Sequence, residues 1–227
     1  MKIGILGTSM VGQTISGKLA ELGHGVMVGT RDVAKTQAHT EPHPYGFPAF
    51  SVWQQEHASI KLGTFAEAAK HGEIVFNATN GTASLAALKL AGEANLNGKV
   101  LVDIANPLDF SQGNPPSLSV SNTDSLGEQI QRAFPAVKVV KTLNTVTASL
   151  MVNPSLVANG DHTLFVCGND VDAKAQVTAW LKGWFGWKDV IDLGDITSAR
   201  GTEMYLPLWL RLMGALGTGV FNIQVVK

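Results

Sequence analysis

Charged side chains are scarce in this chain of 227 residues, where Asp, Glu, Lys and Arg make up 15% and the net charge is −1. A surface that binds nucleic acid or an anionic membrane needs an excess of basic residues. This composition therefore predicts neither partner. The hydrophobic content of 45% is enough to bury a sizeable core, and the length allows one α/β domain with a small additional lobe.

Cysteine and long apolar runs are also lacking. Cys167 is the only cysteine, so the chain can form no internal disulfide, and we expect a buried strand residue in a protein of the reducing cytoplasm. The apolar stretch 206–216 is too short to span a bilayer, and Pro207 and Arg211 interrupt it. The chain begins in a predicted strand, so we expect no signal peptide. No spacing of histidines and acidic residues matches a metal-ligand set, and no metal is predicted.

What the sequence does contain is a glycine turn near its start. Met1–Leu6 has the apolar character of a strand, and the spacing of apolar residues after the turn predicts a helix that ends at Leu22. Strand, glycine turn and helix in this order bind the pyrophosphate of a dinucleotide, through free N–H groups and the positive end of the helix dipole. Ser9 stands where a second glycine is usual, so we expect its backbone or hydroxyl to approach the phosphates. The turn comprises Gly7, Thr8, Ser9, Met10, Val11 and Gly12.

The end of the next predicted strand indicates which dinucleotide binds. It leads to Thr30, Arg31 and, one helical turn later, Lys35. In this fold an acidic residue here binds the ribose 2′-hydroxyl of NAD, whereas an arginine accommodates the 2′-phosphate of NADP. Asp32 is a candidate for the acidic residue, but we interpret it as the N-cap of the short helix that follows it. The sequence therefore favours NADP, with Thr30, Arg31 and Lys35 as phosphate-binding residues.

The rest of the chain alternates apolar strand-like runs with helical patterns. This alternation predicts an α/β fold, namely a doubly wound, mostly parallel Rossmann sheet with a small C-terminal helical lobe. We assign residues 1–150 to an NADP-binding domain and residues 151–227 to the lobe that completes the acceptor pocket. Capping boxes predict helices that begin after Thr64 and Ser125. The apolar residues near the C-terminus, Val220–Val226, predict a final strand.

Three further segments carry expectations. The proline-rich stretch 39–50 is interpreted as a surface loop, with a lid over the adenosine as its functional role, and the stretch 107–122 as a long loop beside the ligand cleft. Apolar residues surround almost the whole of a predicted helix over 199–216, so it is buried either in the core or in a subunit contact. Pro207 should kink this helix unless a helix begins near it. We expect a homodimer that forms through this lobe.

In an open parallel sheet the ligand lies beyond the carboxyl ends of the strands. Three predicted strands end in short turns rich in Asn and Thr, at 77–81, 103–108 and 142–147. Such turns suit hydrogen bonds to a ribose, a nicotinamide and a second ligand, although Asn is also a common turn former without a binding role. Both interpretations stay open for Asn144. The turns contain no catalytic pair, and Tyr205 is the one candidate proton donor, so no catalytic residue is assigned.

These motifs resemble those of the NADP reductases in the deazaflavin-dependent oxidoreductase group. The resemblance rests on the glycine turn, the Val-Gly-Thr-Arg segment that ends at Arg31, the following Lys35 and Asn106–Pro107, and it covers nearly the whole chain. It implies a Rossmann domain that binds NADP and a C-terminal lobe that helps to form a pocket for 8-hydroxy-5-deazaflavin. The two rings would stack, and a hydride would pass directly between them.

The resemblance also implies residue roles. The residues expected to flank the nicotinamide are Ala78, Thr79, Ala105 and Asn106, and Asn80 and Pro107 beside them are further cofactor-binding candidates. Those expected to border the second ring are Asn144, Thr145, Val146 and Thr147, with Tyr205 as a further candidate for the substrate site. Relatives in this group also use ordinary flavin or other small electrophiles as the acceptor. The alternatives are an NADPH-dependent reductase of a small carbonyl or imine substrate, and a non-catalytic NADP-binding protein.

Overall fold

The computed structural model describes residues 1–44 and 46–227. Its central strands are β1 (Lys2–Leu6), β2 (Gly25–Thr30), β3 (Lys61–Thr64), β4 (Ile74–Asn77) and β5 (Val100–Asp103). A small antiparallel hairpin, β6 (Leu108–Asp109) and β7 (Ser117–Leu118), precedes the last strands, β8 (Lys138–Thr142), β9 (Thr163–Cys167) and β10 (Asp189–Asp192). Within the described residues, eight strands form one sheet in the order β10-β9-β8-β5-β4-β1-β2-β3. Every neighbouring pair in that sheet is parallel except β8 with β9.

Helices cover both faces of the sheet. They are α1 (Met10–Glu21), α2 (Val33–Ala38), α3 (Phe50–Glu56), α4 (Phe65–His71), α5 (Gly81–Ala91), α6 (Glu93–Leu96), α7 (Leu126–Ala133), α8 (Ala148–Val152), α9 (Val171–Phe185), α10 (Ala199–Met204) and α11 (Leu206–Leu216). Short 3₁₀ turns lie at Pro154–Leu156, Ala158–Gly160 and Ile196–Ser198. One core packs α1, α8 and α9 against the sheet, and the other packs α4, α5 and α7 against its opposite face. The predicted doubly wound, mostly parallel fold is confirmed.

The C-terminal part of the chain contributes to the sheet as well as to the helical lobe. Strands β9 and β10 continue the sheet beyond residue 150, while α10 and α11 form the lobe. The division into 1–150 and 151–227 stays a prediction. Cys167 is fully buried in β9, as predicted, and burial raises the pKa of its thiol to about 12.

Local capping explains several helix starts. The Asp32 carboxylate accepts a hydrogen bond from the Lys35 N–H at 2.9 Å, so its predicted role as the N-cap of α2 is confirmed. Thr64 and Glu67 form the complete predicted capping box at α4. At α7 only half of the predicted box is present. Ser125 caps the Glu128 N–H, but the Glu128 carboxylate binds the Ser125 hydroxyl and Arg200, not the Ser125 backbone.

One C-terminal prediction is wrong, and a second is narrowed. Residues 220–226 form no strand, because isolated hydrogen bonds hold them in place of a continuous β-ladder. The Thr163 N–H donates to the Ile223 carbonyl at 3.0 Å, and the Val225 N–H donates to the Thr163 hydroxyl. The apolar helix is not buried on all sides within the monomer. Leu206 is buried, whereas Leu208 is 56% exposed and Leu216 57% exposed. Burial of the whole helix in the core of the monomer is thus excluded, and its burial in a subunit contact stays a prediction.

The chain also differs from one predicted helix over 199–216, because α10 ends at Met204 and α11 begins at Leu206. Pro207 therefore stands in the first turn of α11, where its missing N–H and fixed φ are tolerated. No helix of the described residues is long and apolar enough to cross a membrane.

The structure supports the predicted position of only one of the two loops beside the cavity. Residue 45 of the stretch 39–50 lies outside the described residues, and the described ones run over the surface until α3 begins at Phe50. None of these described residues lines the large cavity described below, so the lid stays a prediction. The stretch 107–122 is more ordered than expected, since it contains the β6–β7 hairpin. Its position beside the cleft is confirmed, because Phe110, Pro115 and Pro116 line the cavity.

Candidate functional site

The glycine turn is built for a close approach of backbone to backbone. Gly7 has φ +116°, and a Cβ on it would lie 2.5 Å from the Ala78 carbonyl oxygen at the end of β4. Gly12, in the first turn of α1, faces the Gly7 carbonyl, which would be 2.1 Å from an added Cβ. Neither position tolerates a side chain. The two glycines therefore hold β1, α1 and β4 together at the edge where the predicted phosphates bind.

The start of α1 has the properties of an anion site. Ser9 is the N-cap residue in extended conformation, and its side chain makes no capping hydrogen bond within the described part of the chain. The N–H groups of the first helical turn point out of the helix, where a ligand can accept from them. Gln13 fixes this segment, because its side-chain amide donates to the Thr8 carbonyl and to the Pro48 carbonyl, both at 3.0 Å.

Two cations lie at the end of β2. Arg31 and Lys35 are exposed, and neither side chain forms an ion pair with any described residue. The Thr30 hydroxyl is instead engaged by the protein, 2.8 Å from the Thr36 hydroxyl, which itself donates to the Asp32 carbonyl. Asp32 is occupied as a helix cap. The geometry thus leaves Arg31 and Lys35 available for an anion, while Thr30 supports the turn below them.

At the end of β4, Thr79 and Asn80 belong to well-defined hydrogen-bond networks. The Thr79 hydroxyl donates to the Asn77 side-chain oxygen at 2.7 Å. The Asn80 side chain caps α5 by accepting from the Thr82 N–H at 3.1 Å. A Cβ on Gly81 would lie 2.0 Å from the Asn106 carbonyl oxygen, so α5 begins directly against the turn after β5. These contacts bring the turns after β4 and β5 together.

The turns after β5 and β8 are joined by a reciprocal pair of amides. Asn106 donates to the Asn144 carbonyl at 2.8 Å, and Asn144 donates to the Asn106 side-chain oxygen at 3.0 Å. Leu143, directly before this pair, is fully buried with φ +61°, a left-handed backbone that a leucine rarely adopts. Packing therefore holds a strained turn at the junction between the two predicted ring positions.

A cavity of about 1300 Å³ runs along the carboxyl edge of the sheet. Its lining includes most of the residues predicted from the sequence: Gly7, Thr8, Ser9, Met10, Val11, Arg31, Ala78, Thr79, Asn80, Ala105, Asn106, Asn144, Thr145, Val146 and Thr147. Five predicted site residues are not part of the lining: Gly12, Thr30, Lys35, Pro107 and Tyr205. The structure thus brings the three Asn- and Thr-rich turns and the glycine turn to one cavity. Their role in binding stays a prediction.

The sequence predicted that the C-terminal lobe and the stretch 107–122 border this cavity, but not which of their residues form its apolar end. Its walls come from the β6–β7 hairpin, from α11 and from the chain that follows α11: Phe110, Pro115, Pro116, Leu206, Trp209, Leu210, Met213 and Gly219. The spacing of the α11 residues, three or four apart, is the signal that indicates one shared helix face. Gly219 packs beside the Trp209 ring, which would be in ordinary van der Waals contact, at 3.4 Å, with a Cβ at this position.

The structure also reveals a buried ionic cluster below the cavity, which sequence reasoning did not predict. The Lys141 ammonium lies 2.9 Å from Asp103 Oδ2 and 2.8 Å from Glu203 Oε1, and the side chains are between 0 and 1% exposed. Burial alone lowers the pKa of Lys141, but the two carboxylates outweigh it, so the pKa is raised. Lys141 also donates to the Ala105 carbonyl. The cluster therefore links α10 to a residue of the cavity wall.

Groups able to deliver a proton are scarce at the cavity. No histidine among the described residues lines it, and Tyr205 is not part of its wall. The Tyr205 hydroxyl is buried without a hydrogen-bond partner in the described residues, and burial raises its pKa. No three His, Cys, Asp or Glu side chains of the described residues are grouped as metal ligands would be.

The fold and the cavity define a Rossmann-type dinucleotide-binding protein, and comparisons with known proteins extend this. The family described as "NADP oxidoreductase coenzyme F420-dependent" matches residues 2–107. A crystal structure from Arthrobacter sp. FB24, described as a candidate F420-dependent NADP reductase, is 59% identical, with full coverage of both chains and a TM-score of 0.96.

More distant relatives share the fold or part of the sequence. The metalloreductase STEAP3 of Rattus norvegicus is 28% identical over 97% of this chain, which spans 40% of that protein's length. An imine reductase from Myxococcus stipitatus in complex with NADP⁺ is 16% identical, with a TM-score of 0.63 over 95% of this chain and 64% of that one. The latter likeness concerns the fold alone.

The chain belongs to the family of coenzyme F420-dependent NADP oxidoreductases. It is an NADP-dependent oxidoreductase, so the alternative of a non-catalytic NADP-binding protein is wrong.

Proposed function

We propose that the protein transfers a hydride directly between the nicotinamide of NADP(H) and a flat second ring, a deazaflavin or a flavin. The observation that carries this proposal is the single cavity of about 1300 Å³ that joins the glycine turn to an apolar end. Pockets for one small ligand usually measure roughly 300–1,000 Å³, so this cavity has room for two.

The residues at the polar end fit NADP. Residues 7–11 line this end of the cavity, and α1 begins there without a side-chain cap on its N–H groups. Arg31 lines the same end, and its planar guanidinium suits phosphate oxygens. Thr8 and Ser9 complete the phosphate-binding segment, and Lys35 adds positive charge outside the wall. In this proposal the nicotinamide lies against Ala78, Thr79, Asn80, Ala105 and Asn106, with Pro107 behind the wall.

The residues at the apolar end fit a flat acceptor ring. Trp209, Leu210 and Met213 of α11 line the same cavity as the turn 144–147. A bound NADPH would supply the hydride and the acceptor ring would take it, with the proton that completes the reduction drawn from solvent. The protein's own contribution is to align the rings and to hold the turns by the Asn106–Asn144 pair.

The alternative substrate is a small carbonyl or imine. Its reduction needs a proton donor at the reacting centre. Tyr205 is the candidate with a free hydroxyl, but it does not line the cavity. This observation favours transfer between rings over reduction of a carbonyl or imine.

The test is NADPH oxidation by the purified protein with four classes of acceptor: an 8-hydroxy-5-deazaflavin, flavin mononucleotide, a cyclic imine and a simple ketone. We expect turnover with at least one of the two ring acceptors and little with the other two. Turnover confined to the imine or the ketone would overturn the proposal. NADH in place of NADPH serves as the nucleotide control.

We further propose that the active form is a homodimer. Leu208 and Leu216 leave apolar surface of α11 exposed in the monomer, and such surface commonly marks a protein contact. Light scattering coupled to size exclusion should give twice the chain mass of 24.0 kDa. A cytoplasmic location also stays a proposal, which rests on the single buried cysteine.

A further inference from the structure

The Asp103–Lys141–Glu203 cluster has an unusual charge balance. Each side chain is buried, between 0 and 1% exposed, and the proposed reaction uses none of them directly. Burial of ionised groups is costly unless each is paired and fully hydrogen-bonded. The hydrogen bonds therefore indicate which of these groups carry charge.

Both carboxylates receive only N–H donors. Asp103 accepts from Lys141 at 2.9 Å, from the Asn77 side-chain amide at 2.8 Å and from the Ala105 N–H at 3.3 Å. Glu203 accepts from the Leu126 N–H at 2.8 Å, the Gly127 N–H at 3.0 Å and Lys141.

A protonated carboxyl would need an acceptor for its own hydrogen, and these contacts supply none. Two ionised carboxylates and one ammonium leave the buried cluster with one excess negative charge. The first N–H groups of α7 bind the Glu203 carboxylate, and the positive end of this helix dipole offsets about half of the excess negative charge.

The excess charge lies next to the cavity. Ala105 lines the cavity wall, its carbonyl accepts from Lys141, and its N–H donates to Asp103. Thr79 lines the same region and reaches Asp103 through Asn77. One peptide unit thus separates the cluster from the wall against which the proposed function puts the nicotinamide.

We infer that this buried cluster stabilises the oxidised nicotinamide over the reduced one and thereby makes bound NADPH a stronger hydride donor. The inference rests on the proposed position of the nicotinamide. The oxidised ring carries a positive charge and the reduced ring is neutral, so a nearby excess of negative charge favours only the oxidised form. Glu203 and Asp103 act here through the field, as tuning residues that need not touch the ring.

The experiment measures the dissociation constants of NADP⁺ and NADPH by titration calorimetry for the wild-type protein and Glu203→Gln. We expect NADP⁺ to bind the variant about threefold to tenfold more weakly, with NADPH nearly unchanged. A merely structural role would weaken both forms equally, so the ratio of the two constants is the informative quantity. An unchanged ratio in a folded variant would overturn the inference.

Glu128→Gln is the matched control. Glu128 also lies at the N-terminus of α7 and is bound by Ser125 and Arg200, but neither it nor these partners line the cavity. In this variant the ratio of the NADP⁺ and NADPH dissociation constants should equal that of the wild-type protein. If Glu203→Gln does not fold, the wild-type constants decide: NADPH that binds at least tenfold more tightly than NADP⁺ would contradict the inference, and equal or tighter binding of NADP⁺ would support it.

These outcomes separate the inference from the proposed function. If neither ring acceptor is reduced but the ratio shifts, the proposed acceptor is wrong and the tuning role stands. If ring acceptors are reduced and the ratio does not shift, only the tuning role is wrong.

Discussion

The two ends of the cavity are built in different ways. The end proposed for the nucleotide is lined by residues 7–11 and Arg31, where backbone N–H groups begin α1 and an exposed cation lies, with the exposed Lys35 outside the wall. The acceptor end comes from three segments that are distant in the sequence: the β6–β7 hairpin, the turn 144–147 and α11 with the residues after it. In the proposed function, recognition of phosphate is therefore local and polar, whereas recognition of the acceptor depends on tertiary packing of apolar side chains.

This difference predicts how each end responds to change. Backbone donors and charged side chains each bind a particular chemical group of the nucleotide. Their loss should therefore weaken the binding of a nucleotide that carries this group and leave unchanged the binding of one that lacks it. Apolar walls act by shape, so their loss should affect alignment and thus rate. A substitution at one end should leave the property of the other end intact.

The largest effect is expected from Trp209→Ala at the acceptor end. Trp209 lines the cavity and packs against Phe221 with 5.4 Å between ring centroids. Its removal widens the space around the second ring, and a misplacement of about 1 Å can lower the rate on the order of a hundredfold. We expect about that loss in turnover with the ring acceptor and no change in the NADPH dissociation constant. Val171→Ala, at an exposed apolar residue of α9 that does not line the cavity, should keep full turnover.

Arg31→Ala tests the nucleotide end. A hydrogen bond to a charged group contributes roughly 1.5–3 kcal/mol, and about 1.4 kcal/mol corresponds to one decade in affinity. NADPH should therefore bind about tenfold to a hundredfold more weakly, as measured by calorimetry, while NADH binding stays unchanged. Equal affinity of the wild-type protein for NADH and NADPH would contradict this assignment.

The contrast between local features and tertiary packing also decides what the sequence could predict. The caps at Asp32 and Thr64 depend on neighbours three residues away, and both predictions are confirmed. The prediction of a final strand at 220–226 was wrong, because an apolar pattern does not distinguish a strand in a β-ladder from a segment held by isolated hydrogen bonds. The role of Lys141 was missed, since a lysine in a strand gives no sign of partners 38 and 62 residues away in the chain.

Ser9 allows a finer test of the nucleotide end. If this N-cap residue faces the phosphates, Ser9→Leu should place a bulky side chain against them and weaken NADPH binding by about tenfold. Ser9→Gly should keep binding close to that of the wild type, because the backbone donors remain. Unchanged affinity in Ser9→Leu, with an unaltered melting temperature, would show that the phosphates bind elsewhere.

The smallest effect is expected from single replacement of the candidate proton donors. Tyr205 does not line the cavity, and neither does any histidine of the described residues. Removal of a true general acid lowers the rate roughly 10²–10⁴-fold, whereas Tyr205→Phe should change turnover with a ring acceptor by less than about threefold. The same result is expected for replacement of each of His24, His39, His43, His57, His71 and His162. A collapse of turnover in one of these variants, with NADPH binding intact, would contradict direct transfer between rings and favour a carbonyl or imine substrate, because only such a substrate requires a proton from that side chain.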